Sequence, residues 1–443
     1  MAGCYTRNAV FPAEIGSQRG SAILSPRDKA KKDCDAMGEI MDVSDAGTVT
    51  LSIEELEADP HTVFRRYRAI TPFVAHEAGG YMVLRSADVE QLVKDPRMRS
   101  TETEYPKLRG IPEGALFDFF GEGMLTANDA VHRRRRSPFS RTFAVRLIAE
   151  LRPRIRKVAE ELVDSWHGED EIDLVDRYAA LVPAQAISEL LGLPKEDIPH
   201  FTKLVYSVSR VISFTFTPDD LPEMEAAARE LQNYVEDLMS GRRGALGNDF
   251  LIAYLADAER KGELSPIETI MQIVTLIIGG TDTTRVAMAV QVALLLQHRD
   301  QWDAVCRDPA LIPAAVFEAL RYEPSVASVG RQTLEDIELD GRILPSGQIV
   351  TLSTMSALRD ETVYEQPDLF NIHRPDVPRL HLVFGGGSHR CIGEALARVE
   401  LEEGLAVLTA RIPHLHLADG PPRLQGHFGI RRIGEMRVTW RNG

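Results

Sequence analysis

The chain has 443 residues, 44% hydrophobic and 26% charged, with a formal net charge of −15; that is ample for a large buried core and argues against general nucleic-acid or anionic-membrane binding. Its four cysteines, Cys4, Cys34, Cys306 and Cys391, match neither a disulfide framework nor a C-x-x-C zinc site. No basic-then-apolar leader opens it, and the apolar runs near 270–278 and 286–296 are broken by Gly279, Gly280, Asp282 and Arg285 before the roughly 20 residues a bilayer needs, so a cytoplasmic protein is expected.

Residues 1–45 read as an unpacked tail, and 46–443, without linker or repeat, as a single domain. Helical spacing begins in "EELEADPHTVFRRYRAI", and "GGYMVLR" (79–85) reads as a strand. In "HRRRRSPFSRTF", His132 and Arg136 lie one turn apart with Arg133, Arg134 and Arg135 between them. This is either a solvated basic face or a docking patch for an acidic partner or for the acid groups of a cofactor. Further helices follow in "VRLIAELRPRIRKVAEELVDSW" and "MEAAARELQNYVEDLMS".

The clearest helix starts at Ser265, where Ser-Pro-Ile-Glu forms a capping box, and runs to about His298. It should be on the order of 50 Å long. Apolar residues occupy nearly every face, which predicts burial on all sides. "GGTDTT" (279–284) interrupts it, either as a kink with a satisfied aspartate or as a close approach to something large and flat, with a polar pair for proton handling. Farther on, Glu318 and Arg321 of "EALR" have the spacing of an ordinary helical ion pair. Extended segments at 341–353 and 435–440 complete a fold that is mainly α with small peripheral β-sheets.

Cys391 sits in "HLVFGGGSHRCIGEAL" (381–396). A helix starting near Ile392 would turn N–H groups towards the sulfur and lower its pKa, while Gly385, Gly386 and Gly387 permit close approach to a surface. The segment lacks the G-x-x-x-x-G-K-[ST] pattern of a phosphate loop. The residues describe a thiolate held against a bulky partner.

Together and in this order, the motifs resemble those of the soluble bacterial cytochromes P450. F-G-x-G-x-H-x-C-x-G is matched by Phe384, Gly385, Gly387, His389, Cys391 and Gly393; E-x-x-R by Glu318 and Arg321; G-G-x-D-T by Gly279, Gly280, Asp282 and Thr283; and H-x-x-x-R by His132 and Arg136. The resemblance spans roughly residues 50–443. It implies a cytochrome P450-like fold with a long central helix over haem b, Cys391 as the iron ligand and Phe384 packed near its sulfur. His132, Arg136, Arg331 and His389 would bind the propionates, and Gly279 with Gly280 would leave room for dioxygen. Asp282 and Thr283 would deliver protons. Glu318 and Arg321 would be structural, with Arg374 completing a triad because Ala357-Leu358-Arg359-Asp360 departs from the family's usual Ala-Asn-Arg-Asp.

The same resemblance implies hydroxylation or another oxidation of a small apolar or aromatic molecule, with Phe117, Phe120, Phe214, Val326, Val329 and Phe428 as candidate contacts. Electrons would come from a separate iron–sulfur ferredoxin and its NAD(P)H-dependent reductase, docking near Arg133, Arg134 and Arg135 of a monomer. A peroxide-driven haem-thiolate peroxygenase and a non-catalytic haem sensor are the alternatives.

Overall fold

The computed structural model describes residues 48–142, 145–213, 216–241, 251–377 and 381–440. The expected N-terminal tail and Phe214 lie outside them. The helices that frame the site are α1 (Ala115–Glu122), α2 (Asp129–Thr142), α3 (Val145–Asp164), α4 (Leu181–Leu191), α5 (Ile198–Ser209), α6 (Leu221–Met239), α7 (Pro266–Gln297), α8 (Ile312–Tyr322) and α9 (Glu394–Arg411). The main sheet holds β1 (Thr50–Leu51), β2 (Phe73–His76), β3 (Tyr81–Val83), β4 (Met98–Arg99), β5 (Ser328–Thr333) and β6 (Ile349–Ser353), in the order β1-β2-β3-β6-β5-β4.

Helix α7 forms where the capping signal puts it: the Ser265 hydroxyl accepts from Glu268 N at 3.2 Å, and Glu268 accepts from Ser265 N at 2.8 Å. By length and hydropathy it could cross a bilayer, but 78% of its most apolar window is buried within the fold. Its apolar faces are instead covered by α1, α4, α5, α6, α8 and α9. A Cβ at Gly280 would lie 2.7 Å from Ile187 Cδ1, so this glycine lets α7 press against α4.

Helix α9 packs along α3, where Glu403 takes Arg152 at 2.6 Å and Arg156 at 2.5 Å. Beyond the helical core, the sheet and the N-terminal helices enclose a second apolar cluster of Leu51, Leu56, Phe64, Val74, Met82, Leu84, Ala327 and Met355. The extended segment expected at 341–353 divides in two. Arg342–Leu344 turns back on Ile337–Leu339, and Ile349–Ser353 joins the main sheet as β6. Pro345, which has no N–H to donate, and Gly347 at φ +77° break the run between them.

Candidate active site

The cysteine loop is fixed by its own backbone and by neighbours far away in sequence. Cys391 N donates to Phe384 O at 2.8 Å, and Arg390 donates to Gly385 O at 2.9 Å and pairs with Glu394 at 2.7 Å. From α2, Arg136 donates to Arg390 O at 2.6 Å. His381 is buried, and burial lowers its pKa to about 3. Neutral, it accepts from Val383 N through Nδ1 at 3.3 Å and donates through Nε2 to Phe317 O at 3.2 Å, tying the loop to α8. Nothing in the sequence marks His381 for this task, since it falls outside the cysteine pattern.

Two expectations about the loop change. Gly386 and Gly387 face the chain after residues 86–92: a Cβ on Gly386 would lie 2.6 Å from Val93 Cγ2, and one on Gly387, at φ +62°, 2.7 Å from Val93 O. These glycines dock the loop onto protein. The thiol pKa is also raised, because burial outweighs the Gly393 N–H and the cations Arg136 and Arg390, while Glu394 adds to the rise. The helix begins at Glu394 with Gly393 as its cap, two residues later than expected. Yet Cys391 has accessible surface, as does Gly279 among the buried residues Ile277, Ile278 and Thr281 of α7. A desolvated sulfur with accessible surface fits an internal cleft.

Beside the loop lies a cluster of nitrogen bases, with His132 and Arg331 buried and His389 half-buried. His132 and His389 stack with centroids 4.0 Å apart, and His389 Nε2 lies 3.3 Å from Ser100 Oγ. Burial, assisted by Arg136 and Arg331, lowers His132 to about 4; burial, Arg331, His132 and Arg136 lower His389 to about 3. Arg331 is lowered to about 10 by burial and bonds the adjacent Gly330 O at 2.8 Å. The buried His132 Nε2 has no partner, and among the described residues no carboxylate bonds His132, His389 or Arg331. Burying the Arg331 cation without counter-charge costs several kcal/mol on the order-of-magnitude scale, and the two neutral imidazoles beside it offer further N–H donors, so this set suits a ligand carrying carboxylates. A porphyrin with two propionates meets that requirement.

On α7, Thr283 donates to Gly279 O at 2.7 Å, which leaves its oxygen lone pairs as acceptors next to the accessible notch at Gly279. No atom lies within 4 Å of a Cβ placed on Gly279. Asp282 turns to another face, where Arg285 donates to its Oδ1 at 2.6 Å and 3.0 Å beneath the Tyr206 ring of α5, 4.3 Å from the guanidinium. The i,i+3 spacing of Asp282 and Arg285 could have signalled this pair.

Glu318 and Arg321 are fully buried. Glu318 accepts from Arg321 at 2.7 Å and 2.8 Å, from Arg374 at 2.7 Å and from Asn371 N at 2.8 Å. Arg321 reaches on to the carbonyls of Leu358, Pro367 and Leu369. This network clamps α8 to the segment leading into the cysteine loop.

The basic run of α2 divides by burial. Arg135 is buried, donating to Glu122, Glu268 and the Gly121 carbonyl, and Arg134 pairs bidentately with Glu268. Only Arg133 of the three is exposed without an ion pair among the described residues. Of the candidate substrate contacts, Phe120 is buried against Tyr105 and Phe119, while Phe117, Val326 and Val329 are half-buried. Phe428 meets the His76 ring at 4.5 Å and packs on the small β-side core.

Fold and site together are those of a haem-thiolate enzyme. The cytochrome P450 family pattern matches residues 97–308 and 309–411, and the chain belongs to this family. Among its relatives, the plant-inducible cytochrome P450-pinF1 of Rhizobium radiobacter is 45% identical over 87% of this chain and 91% of its own. The nocardicin C N-oxygenase of Nocardia uniformis subsp. tsuyamanensis is 33% identical over 81% and 89%. The crystal structure of CalO2 superposes with a TM-score of 0.81 at 29% identity, covering 87% of this chain and 97% of that one. The chain is a bacterial-type P450 monooxygenase, and its family implies a haem-thiolate cofactor.

Proposed function

We propose that the cofactor is haem b, with Cys391 as the iron ligand, and that the enzyme hydroxylates a small apolar or aromatic molecule. The observation that carries this is the cluster of buried His132 and Arg331 with half-buried His389, which no carboxylate among the described residues bonds, with Arg136 beside it and adjoining a cysteine that keeps accessible surface. Two propionates would pair with that cluster and remove its desolvation penalty. Phe384, with the Arg398 guanidinium 5.4 Å from its ring centroid, would shield the sulfur from water. Held by Cys391 as thiolate, a bound haem would supply the redox chemistry of dioxygen activation, for which two electrons and two protons must be delivered.

The chain's own residues then handle protons and position. Thr283, its hydrogen already given to Gly279 O, accepts a hydrogen bond at the notch and would hold a water there. Asp282 is the nearby acid; releasing Arg285 frees its carboxyl to carry protons inwards from the Tyr206 side. Phe117, Val326 and Val329 line the apolar side for the substrate. Electrons come from a separate ferredoxin and NAD(P)H-dependent reductase in the cytoplasm, at a surface that includes Arg133.

The reduced, carbon monoxide-bound protein should show the strongly red-shifted Soret band of thiolate ligation, lost in Cys391→Ala; a histidine-type band in the wild type refutes the assignment. Thr283→Ala should divert NAD(P)H oxidation into peroxide instead of product. Peroxide-driven turnover that ignores this change would identify a peroxygenase, and the absence of turnover by either route would leave the haem sensor.

A further inference from the structure

We propose that Glu225 of α6 is a positioning residue that latches α1 as a movable wall of the substrate cleft, and that release of its carboxylate lets the wall swing out. The inference rests on the proposed placing of α1 beside that cleft. The N-cap of α1 is Gly114, which has no side chain to accept from the first-turn N–H groups. Glu225 supplies the acceptors from another helix: Oε1 takes Ala115 N at 3.0 Å and Oε2 takes Leu116 N at 2.9 Å. Arg229, one turn along α6, pairs with the same carboxylate and orients it. The glycine is part of the device, since a Cβ at Gly114 would lie 2.4 Å from Glu225 Oε1.

The two ends of α1 are held differently. At its C-terminal end Gln272 of α7 donates to Glu122 O at 2.8 Å and accepts from Met124 N at 2.7 Å, while Arg135 of α2 takes Gly121 O at 2.8 Å. That end is bolted to the long helix by several bonds. The N-terminal backbone donors are held by one exchangeable side chain on α6, and Phe216 lies shortly before α6 while Val211 lies shortly after α5. Tyr105 donates to Val211 O at 2.9 Å and Arg109 stacks over Phe216 at 4.8 Å, so the stretch before α1 is stitched to residues that follow α5 and precede α6. A helix fixed at one end and latched at the other hinges about its fixed end.

The test compares Glu225→Gln and Gly114→Ala with the wild-type holoenzyme. The first removes the charge and one acceptor; the second displaces the carboxylate while every charge remains. Hydrogen exchange at Ala115 and Leu116 should quicken on the order of tenfold in both, with α2 unchanged. Stopped-flow binding of 4-phenylimidazole, a bulky haem-iron ligand, should accelerate in both variants, and binding of imidazole much less. Unchanged exchange at α1, or a rise spread over the whole chain, overturns the latch. Faster exchange with unchanged 4-phenylimidazole rates overturns the movable wall and shows that α1 does not border the cleft, whereas failure of thiolate ligation in the carbon monoxide spectrum refutes the proposed haem site itself.

Discussion

Glutamine at position 318 would keep the side-chain shape and remove the negative charge on which two buried arginines converge. The carboxylate accepts N–H groups of Arg321, Arg374 and Asn371 through bonds of 2.7 to 2.8 Å, two on each oxygen. An amide has one accepting oxygen, and its NH2 would face two donors. Two charge-assisted bonds lost at ~1.5–3 kcal/mol each give a destabilisation of about 3–6 kcal/mol. The independent range for removing one partner of a buried ion pair, ~3–5 kcal/mol, agrees. Equilibrium urea unfolding followed by far-UV circular dichroism should show a lower midpoint at unchanged slope, with and without haem. A loss below about 1 kcal/mol would refute the claim that this charge clamps α8 to the cysteine segment.

Arg331→Leu should raise the thermal midpoint of the haem-free protein, because burial lowers the Arg331 pKa to about 10 with no anion among the described residues to compensate it. The same change should speed haem loss to apomyoglobin, on the order of tenfold. His76 and His427 touch at 3.2 Å through Nε2, and burial lowers them to about 3 and about 4. Since the unfolded chain then binds more protons, stability should fall as pH drops below about 6.5, by ~1.4 kcal/mol per pH unit for each histidine until its folded pKa is reached. His76→Gln with His427→Gln should flatten that slope in urea unfolding at pH 4.5 to 6.5, and an unchanged slope would place the acid sensitivity elsewhere. Arg133→Glu should slow ferredoxin-driven reduction most at low salt, whereas Arg134→Glu should chiefly destabilise the fold through its lost pairing with Glu268; equal kinetic effects would contradict the division of the patch.

The parts of the site that could be read from sequence are those where local pattern and chemistry coincide. Ser265-Pro266-Ile267-Glu268 announces the start of α7 because a capping box needs only neighbours. Cys391, His389, Glu318 and Arg321 could be picked out through their fixed spacing. The roles of the loop glycines were misread because the partners of Gly386 and Gly387 are Val93 and Lys94, almost 300 residues away. The thiol pKa was misjudged for a related reason: the helix start is local, but the burial that overrides it comes from the whole fold. The basic run of α2 looked uniform, yet the helical turn sends Arg135 inwards to Glu122 and Glu268 and leaves Arg133 outside. His381 carries no sequence signal, because its partner Phe317 is remote and its neutrality is imposed by burial.

The bonds that seat the cysteine loop join opposite ends of the chain: Ser100 to His389 across 289 positions, and Arg136 to Arg390 across 254. Contacts of such span carry the largest loop-closure cost and form late in folding. Until the cysteine loop has met α2, the stack of His132 on His389 is missing its second ring. A chain that ends before residue 391 therefore lacks both the cysteine loop and α9, one of the helices that cover the long helix α7.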